Sequence, residues 1–319
     1  MIAFGPVPSR RLGRSLGINN IPPKVCTYSC VYCQVGRTSH FQIDRRTFYR
    51  PDQIAIEVVA KVEKVREAGD SIDYLTFVPD GEPTLDINLG RTINLLKPLG
   101  IRIAVITNGS LLWREDVREE LGTADWVSIK VDSVREDIWW GLNRPHASLR
   151  LAVVLDGMIR FSRSFKGQLT TETMLIKGAN DRDNDMERIA DFLSRLNPKS
   201  AYLSIPTRPP AEDWVQPPDE AIINRAFQIL NNRIAHVEYL IEYEGDVFAS
   251  TGDPVQELLS ITAVHPMRED AVEAFLVKSG RDWKFVQNLI DAGYLVKTEY
   301  QGRMFFVRRF GTFGIRDAH

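Results

Sequence analysis

The chain has 319 residues, 44% hydrophobic and 26% charged, with a formal net charge of −2. This composition suits one or two globular domains and excludes disordered, collagen-like or membrane-spanning chains, since no apolar run approaches the roughly 20 residues that cross a bilayer. The N-terminal MIAFGPVPSRR lacks a signal peptide's apolar stretch, and three cysteines within eight residues cannot build a disulfide framework, so a reducing cytoplasm without membrane association is expected.

From the N-terminus, residues 1–50 carry eight Lys or Arg (Arg10, Arg11, Arg14, Lys24, Arg37, Arg45, Arg46 and Arg50) against Asp44 alone. Such a basic segment around the cysteines suits an anionic ligand, a phosphate or carboxylate; arginines paired with helix carboxylates or facing water would look the same. Apolar, β-branched runs then recur at 15–21, 72–78, 101–107, 126–131, 169–176 and 201–205. Amphipathic segments lie at 52–68, 88–99, 114–121, 149–165, 185–196 and 220–231; Ile54, Val58, Val62 and Val65 give the helical spacing. Strands alternating with helices predict an α/β fold with a parallel sheet and right-handed crossovers. Six such units in about 230 residues fit a partial (βα)6 TIM-like barrel better than a closed eight-fold one.

A strand-like run at 236–243 precedes Gly- and Asp-rich turns at 244–246 and 251–254, which divides the chain into a barrel, 1–245, and a smaller unit, 253–319. In the smaller unit, helices at 255–260, 268–278 and 283–291 and a strand pair at 294–300 and 304–309, joined by Gln301-Gly302-Arg303, resemble a winged helix. Such a unit binds nucleic acid, contacts protein or acts as a lid. Nine basic and nine acidic residues in 253–319 leave no clear nucleic-acid footprint, although 278–316 holds eight basic against three acidic.

Function in a barrel sits on the loops leaving the C-terminal ends of its strands. Those positions hold Val78-Pro79-Asp80-Gly81-Glu82-Pro83-Thr84, Thr107-Asn108-Gly109, and the segments 128–132, 174–178 and 205–210. Each alone is ordinary turn chemistry. The most specific motif is C-x3-C-x2-C at Cys26, Cys30 and Cys33. Thiolates at this spacing let one loop wrap an iron–sulfur cubane, and three thiolates on four irons leave one iron open to an external ligand. Zinc is the rival, with His40 as the nearest fourth ligand.

The cysteine triplet, with Tyr32 before the third cysteine, resembles the signature of the radical S-adenosylmethionine (SAM) superfamily, and the strand-end motifs follow in that superfamily's order over residues 4–245. The resemblance implies a [4Fe–4S] cluster on Cys26, Cys30 and Cys33 and a SAM site that includes Tyr32. Asp80-Gly81-Glu82-Pro83 is similar to the Gly-Gly-Glu loop that holds the methionine amino group, with Asp80 at the first glycine and Gly81 and Glu82 carrying the match. Asn108 and Asp132 fall where the family meets the nucleoside and methionine parts of SAM. Lys130 alternates with Asp132 on one strand, so both can face the interior. Ile176 and Pro206 fall at the adenine.

GPVPSRRLGRSLGIN and VPDGEPTL further resemble a group of iron–sulfur oxidoreductases related to wyosine-base synthases. Those synthases carry a second cluster on upstream cysteines; this chain has no cysteine outside 26–33, so a second all-cysteine cluster is excluded. Compact glycyl-radical activases share the Gly-Glu-Pro and Thr-Asn-Gly loops and remain a candidate substrate class. The implied chemistry is reductive cleavage of SAM, with an electron from a flavodoxin- or ferredoxin-type partner, to methionine and a 5′-deoxyadenosyl radical. That radical takes hydrogen from a substrate, anionic by the basic segment: a small molecule, an RNA base or a protein. The competing class is a cluster-bearing regulator that binds nucleic acid and does no SAM chemistry, which has no use for a Gly-Glu loop or polar strand ends.

Overall fold

The computed structural model describes residues 2–241, 253–264 and 266–309; the expected turns at 244–246 and 251–252, and the boundary at 245, lie outside the described residues. The chain begins with a hairpin, β1 (Ala3–Ser9) and β2 (Gly13–Ile18). Two short paired strands, β3 (Val25–Cys26) and β4 (His40–Phe41), then frame the cysteine loop. Alternation follows: α1 (Pro51–Glu67), β5 (Tyr74–Phe77), α2 (Leu89–Leu96), β6 (Arg102–Thr107), α3 (Glu115–Leu121) and β7 (Trp126–Lys130). Next come α4 (Glu136–Leu142), α5 (Leu151–Ser164), β8 (Gln168–Met174), α6 (Asp183–Leu196), β9 (Ser200–Ser204), α7 (Glu220–Asn231) and β10 (Val237–Leu240).

One sheet runs in the order β1-β2-β5-β6-β7-β8-β9-β10, and every pairing from β2 to β10 is parallel. It curls into an open half-barrel, as expected. The alternating side-chain direction of each strand explains the two apolar layers. Outward residues such as Phe77, Val105 and Val127 meet the buried stripe Ile54, Val58 and Val62 of α1 and its neighbours. Inward Ala104, Trp126 and Tyr202 form a small inner cluster with Leu12 from the β1–β2 turn, which plugs the N-terminal end of the half-barrel. Proline at N1 and Asp52 in the first turn start α1.

Three elements differ from the sequence expectation. β1 is an added antiparallel edge strand; Pro6 and Pro8 hide it from propensity, and an edge is where a sheet tolerates proline. The run at 236–243, expected as a strand within 1–245 but not counted among the six units, pairs with β9 as a seventh parallel strand, β10. The short α4 was not expected at all.

The C-terminal unit has α8 (Pro254–Val264), β11 (Met267–Arg268), α9 (Glu269–Ser279), α10 (Trp283–Asp291), β12 (Leu295–Tyr300) and β13 (Arg303–Arg308). Its strands form an antiparallel sheet in the order β11-β13-β12 over a core that includes Leu258, Val272, Phe275 and Phe306. The expected helices and hairpin are present, with β11 in addition. Val7 of β1 packs against this core, Lys61 pairs with Glu257 at 3.7 Å, and Tyr300 Oη donates to the Pro206 carbonyl at 3.4 Å.

Candidate active site

The cysteine loop is tied at several points to distant chain. Ser29 N donates to the Asn143 carbonyl (3.1 Å) and Val31 N to the Leu142 carbonyl (2.9 Å). Glu212 accepts from Arg37 Nε and Nη2 at 2.8 and 2.9 Å and also pairs with Arg144. Cys26, Cys30 and Cys33, all free thiols, line one cavity of about 330 Å³ at the C-terminal ends of the strands. Burial is the main cause pushing all three thiols up, Cys30 to about 12 with the Asp132 charge as second cause. Asn108 Nδ2 donates to Cys26 Sγ and Asn143 Nδ2 to Cys30 Sγ, both at 3.6 Å. His40 is exposed, bonds Ser39 Oγ at 3.0 Å and does not line the cavity. Among the described residues, no three His, Cys, Asp or Glu side chains are arranged to hold a single metal ion.

Tyr32, Gly81, Glu82, Asn108, Lys130 and Pro206 line the same cavity. Gly81 is fixed by space: a Cβ there would lie 2.0 Å from the Val25 carbonyl oxygen, so only glycine lets this loop pass against β3. Glu82, 1% exposed, is committed within the scaffold. Its Oε1 accepts from Thr84 N (3.1 Å), Thr84 Oγ1 (2.6 Å) and Thr107 Oγ1 (2.6 Å), and Oε2 accepts from Asn108 N at 2.8 Å. Burial raises its carboxyl against those bonds. Asp80, two residues earlier, also lines the cavity, is 6% exposed, and its Oδ1 has no hydrogen-bond partner among the described residues. Burial pushes its carboxyl up to about 7, against the positive charges of Arg308 and Lys24.

On the far wall Lys130 Nζ donates to Glu172 Oε1 at 2.9 Å and lies 4.9 Å from the Tyr32 ring centre. Arg11 Nη1 donates to Glu172 Oε2 at 2.7 Å, with the Trp126 and Tyr202 rings 6.0 and 5.7 Å from its guanidinium, and Ser204 Oγ donates to Glu172 Oε1 at 3.0 Å. Against the effect of burial, Lys130 and Arg11 hold Glu172 well below the usual carboxylate range.

Two expected contacts do not reach the cavity. Asp132 sits behind its wall, 3% exposed, accepting from Tyr32 Oη, from Asn143 Nδ2 (2.7 Å) and from Met174 N (2.8 Å). Ile176 is fully buried beside Val31, Leu142 and Val215, because Asn180 Oδ1 captures its N–H at 2.9 Å and turns the chain inward. Met174 and Ile205 line the cavity instead. Glu172 and Asn143 were missed; an acid at an inward strand position was the one available signal for Glu172. The basic segment divides. Arg14 pairs with Asp70, Arg37 with Glu212, and Arg45 with Asp116 and Glu120, while Arg11 enters the cavity.

Comparison with known proteins identifies the family. The radical SAM superfamily model matches residues 20–193, more than half of the chain. UPF0026 protein MJ1312 of Methanocaldococcus jannaschii is 46% identical over 309 residues, covering 96% of both chains. Among solved structures, a radical SAM methyltransferase from Sphaerobacter thermophilus superposes with a TM-score of 0.54 at 20% identity, over 71% of this chain and 66% of that one. TYW1 with a lysine–pyruvate adduct bound gives 0.54 at 19% identity, over 69% and 74%. These last two likenesses are of fold; the family match and the M. jannaschii relative carry membership. This chain belongs to the radical SAM superfamily, whose members use a [4Fe–4S] cluster and SAM.

Proposed function

We propose that Cys26, Cys30 and Cys33 hold the [4Fe–4S] cluster and that the adjoining cavity binds SAM, which is reductively cleaved to methionine and a 5′-deoxyadenosyl radical that takes hydrogen from a substrate. The observation that carries this reading is that three thiols from one loop share a single cavity with residues of all five strand-end segments. The donor set fits the group: thiolates are the ligands iron–sulfur clusters take, and thiols raised by burial gain the stabilising charge they lack when a metal binds. Exposed His40 is a poor fourth ligand for the zinc alternative.

When bound, the reduced cluster supplies the electron that breaks a carbon–sulfur bond of SAM. The chain's own residues have other tasks. Gly81 lets the loop after β5 lie against β3, and Glu82 locks that loop to the end of β6 through Thr107 and Asn108. Asp132 fixes Tyr32 and Asn143 from behind, and Ile176 supports the same wall. Lys130 offers a cation to a carboxylate, and Pro206 walls the side toward β9. A flavodoxin- or ferredoxin-type reductant in the cytoplasm supplies the electron.

We read residues 1–245 as the catalytic barrel and 253–319 as a winged-helix-like unit. The Tyr300–Pro206 bond and the seat of Val7 favour a wall over the strand ends rather than a free nucleic-acid reader. The test is anaerobic: the iron-loaded, dithionite-reduced chain given SAM should form 5′-deoxyadenosine and methionine. Absence of both from a chain with full iron content would overturn the reading.

A further inference from the structure

The three thiols of the cysteine loop are met by different donors. Backbone N–H groups of Tyr28 and Val35 bond Cys26 and Cys33 from within the loop itself. At Cys30 the amide comes from far along the chain: Asn143 Nδ2 donates to its Sγ at 3.6 Å. Asn143 follows α4, is 3% exposed and does not line the cavity. Its place is fixed twice. The Asn143 carbonyl accepts from Ser29 N at 3.1 Å and the Leu142 carbonyl from Val31 N at 2.9 Å, so the backbone brackets Cys30 on both sides. The side chain is held by Asp132, whose Oδ2 accepts from Nδ2 at 2.7 Å. That bond also sets which way round the amide sits, because turned over it would face a buried carboxylate with its carbonyl oxygen. The Tyr32 hydroxyl has one proton and gives it to Asp132, which leaves the N–H groups of Asn143 to meet Cys30.

A thiolate bound to a cluster is a stronger acceptor than a thiol, and its charge grows when the cluster takes an electron. A donor to that sulfur therefore stabilises the reduced state more than the oxidised one. We propose that Asn143 raises the reduction potential of the cluster through its N–H···S bond to Cys30, with Asp132 as the positioning residue that holds the amide in register. This rests on the radical SAM reading above and adds to it a residue that tunes the electron-accepting step from outside the cavity. The Asp132 charge works the other way on the same sulfur, raising the Cys30 thiol second only to burial, and Asn143 donates to both.

The test uses the full chain, iron-loaded under anaerobic conditions and free of SAM, with the potential read by electron paramagnetic resonance during a reductive titration. Asn143→Leu keeps the volume of the side chain and removes the donor. It should keep the iron content and lower the midpoint potential. The ratio of reduced to oxidised cluster at a fixed potential should fall about tenfold, a shift of roughly 59 mV for one electron. Asn143→Ala serves if leucine disturbs the loop, with the same sign expected. The sign separates this role from a structural one: a loosened loop admits water, which favours the more highly charged reduced cluster and raises the potential. An unchanged or raised potential in either iron-loaded variant would overturn the proposal. Wild type that takes up no [4Fe–4S] cluster would overturn the functional reading itself, so the two failures are distinguishable.

Discussion

Cys26, Cys30 and Cys33 have no substitutes, since the chain holds no other cysteine. Replacing any one by Ala should remove most of the iron and all SAM cleavage, measured by iron assay and 5′-deoxyadenosine formation. Full iron content and turnover in any single variant would show that the thiols are not the ligands. Glu82 should behave differently. Glu82→Gln sets an amide N–H against a donor inside a buried cage, which costs about 1–3 kcal/mol. A lower Tm is expected; lost SAM affinity at an unchanged Tm would show that the carboxylate, whose Oε2 accepts only from Asn108 N among the described residues, contacts SAM directly. The cysteine triplet was legible because it is local, eight residues on one loop. The uses of Asp132 and Glu172 were not, because their partners come from far along the chain. Tyr32 is 100 residues from Asp132, and Arg11 is 161 from Glu172. Sequence marks polar residues at strand ends without saying whether each faces the cavity or the wall behind it.

At the scale of elements, Arg45 is the hub that joins the cysteine loop's outgoing segment to the β5 loop and α3. Its side chain, 3% exposed, donates to the Thr84 carbonyl at 2.7 Å, the Asp86 carbonyl at 2.8 Å and Asp116 Oδ2 at 2.7 Å, and also pairs with Glu120. Arg45→Met removes the cation and leaves Glu120 half-buried without it, so the loss should approach the 3–5 kcal/mol typical of breaking a buried pair. Chemical denaturation of the iron-free chain measures it; a change under 1 kcal/mol would show that the hub is dispensable. The elements themselves were legible where period and length were strong, as in α1 and the central strands. They were obscured where Pro6 and Pro8 sit in β1; the strand at 236–243 was legible, but its place as a seventh parallel strand was not.

At the scale of the whole molecule, the proposed wall formed by the C-terminal unit would limit which substrates can approach. Lys284 and Arg303 are exposed on α10 and β13, and if they met nucleic acid, binding would fall steeply with salt as counterions are released. The contact between Tyr300 and the Pro206 loop argues for a wall instead. A Lys284→Ala/Arg303→Ala chain should therefore form 5′-deoxyadenosine at the wild-type rate, and a gel-shift titration with transfer RNA at two salt concentrations should show no salt-dependent binding. Salt-dependent binding that the double variant weakens across unrelated sequences would establish the opposite.

The cross-ties of the cysteine loop bear on how iron is loaded. In many small metal-binding domains the ligands are disordered until the ion arrives, and the free energy of coordination must also fold the chain. Here Ser29, Val31 and Arg37 are joined to residues 142–144 and 212 by bonds that need no metal. The conformational entropy of the loop is therefore lost when the barrel folds, not when iron enters. Coordination energy is left to hold the cluster, and stripping the iron with a chelator should leave the barrel folded and ready to be refilled.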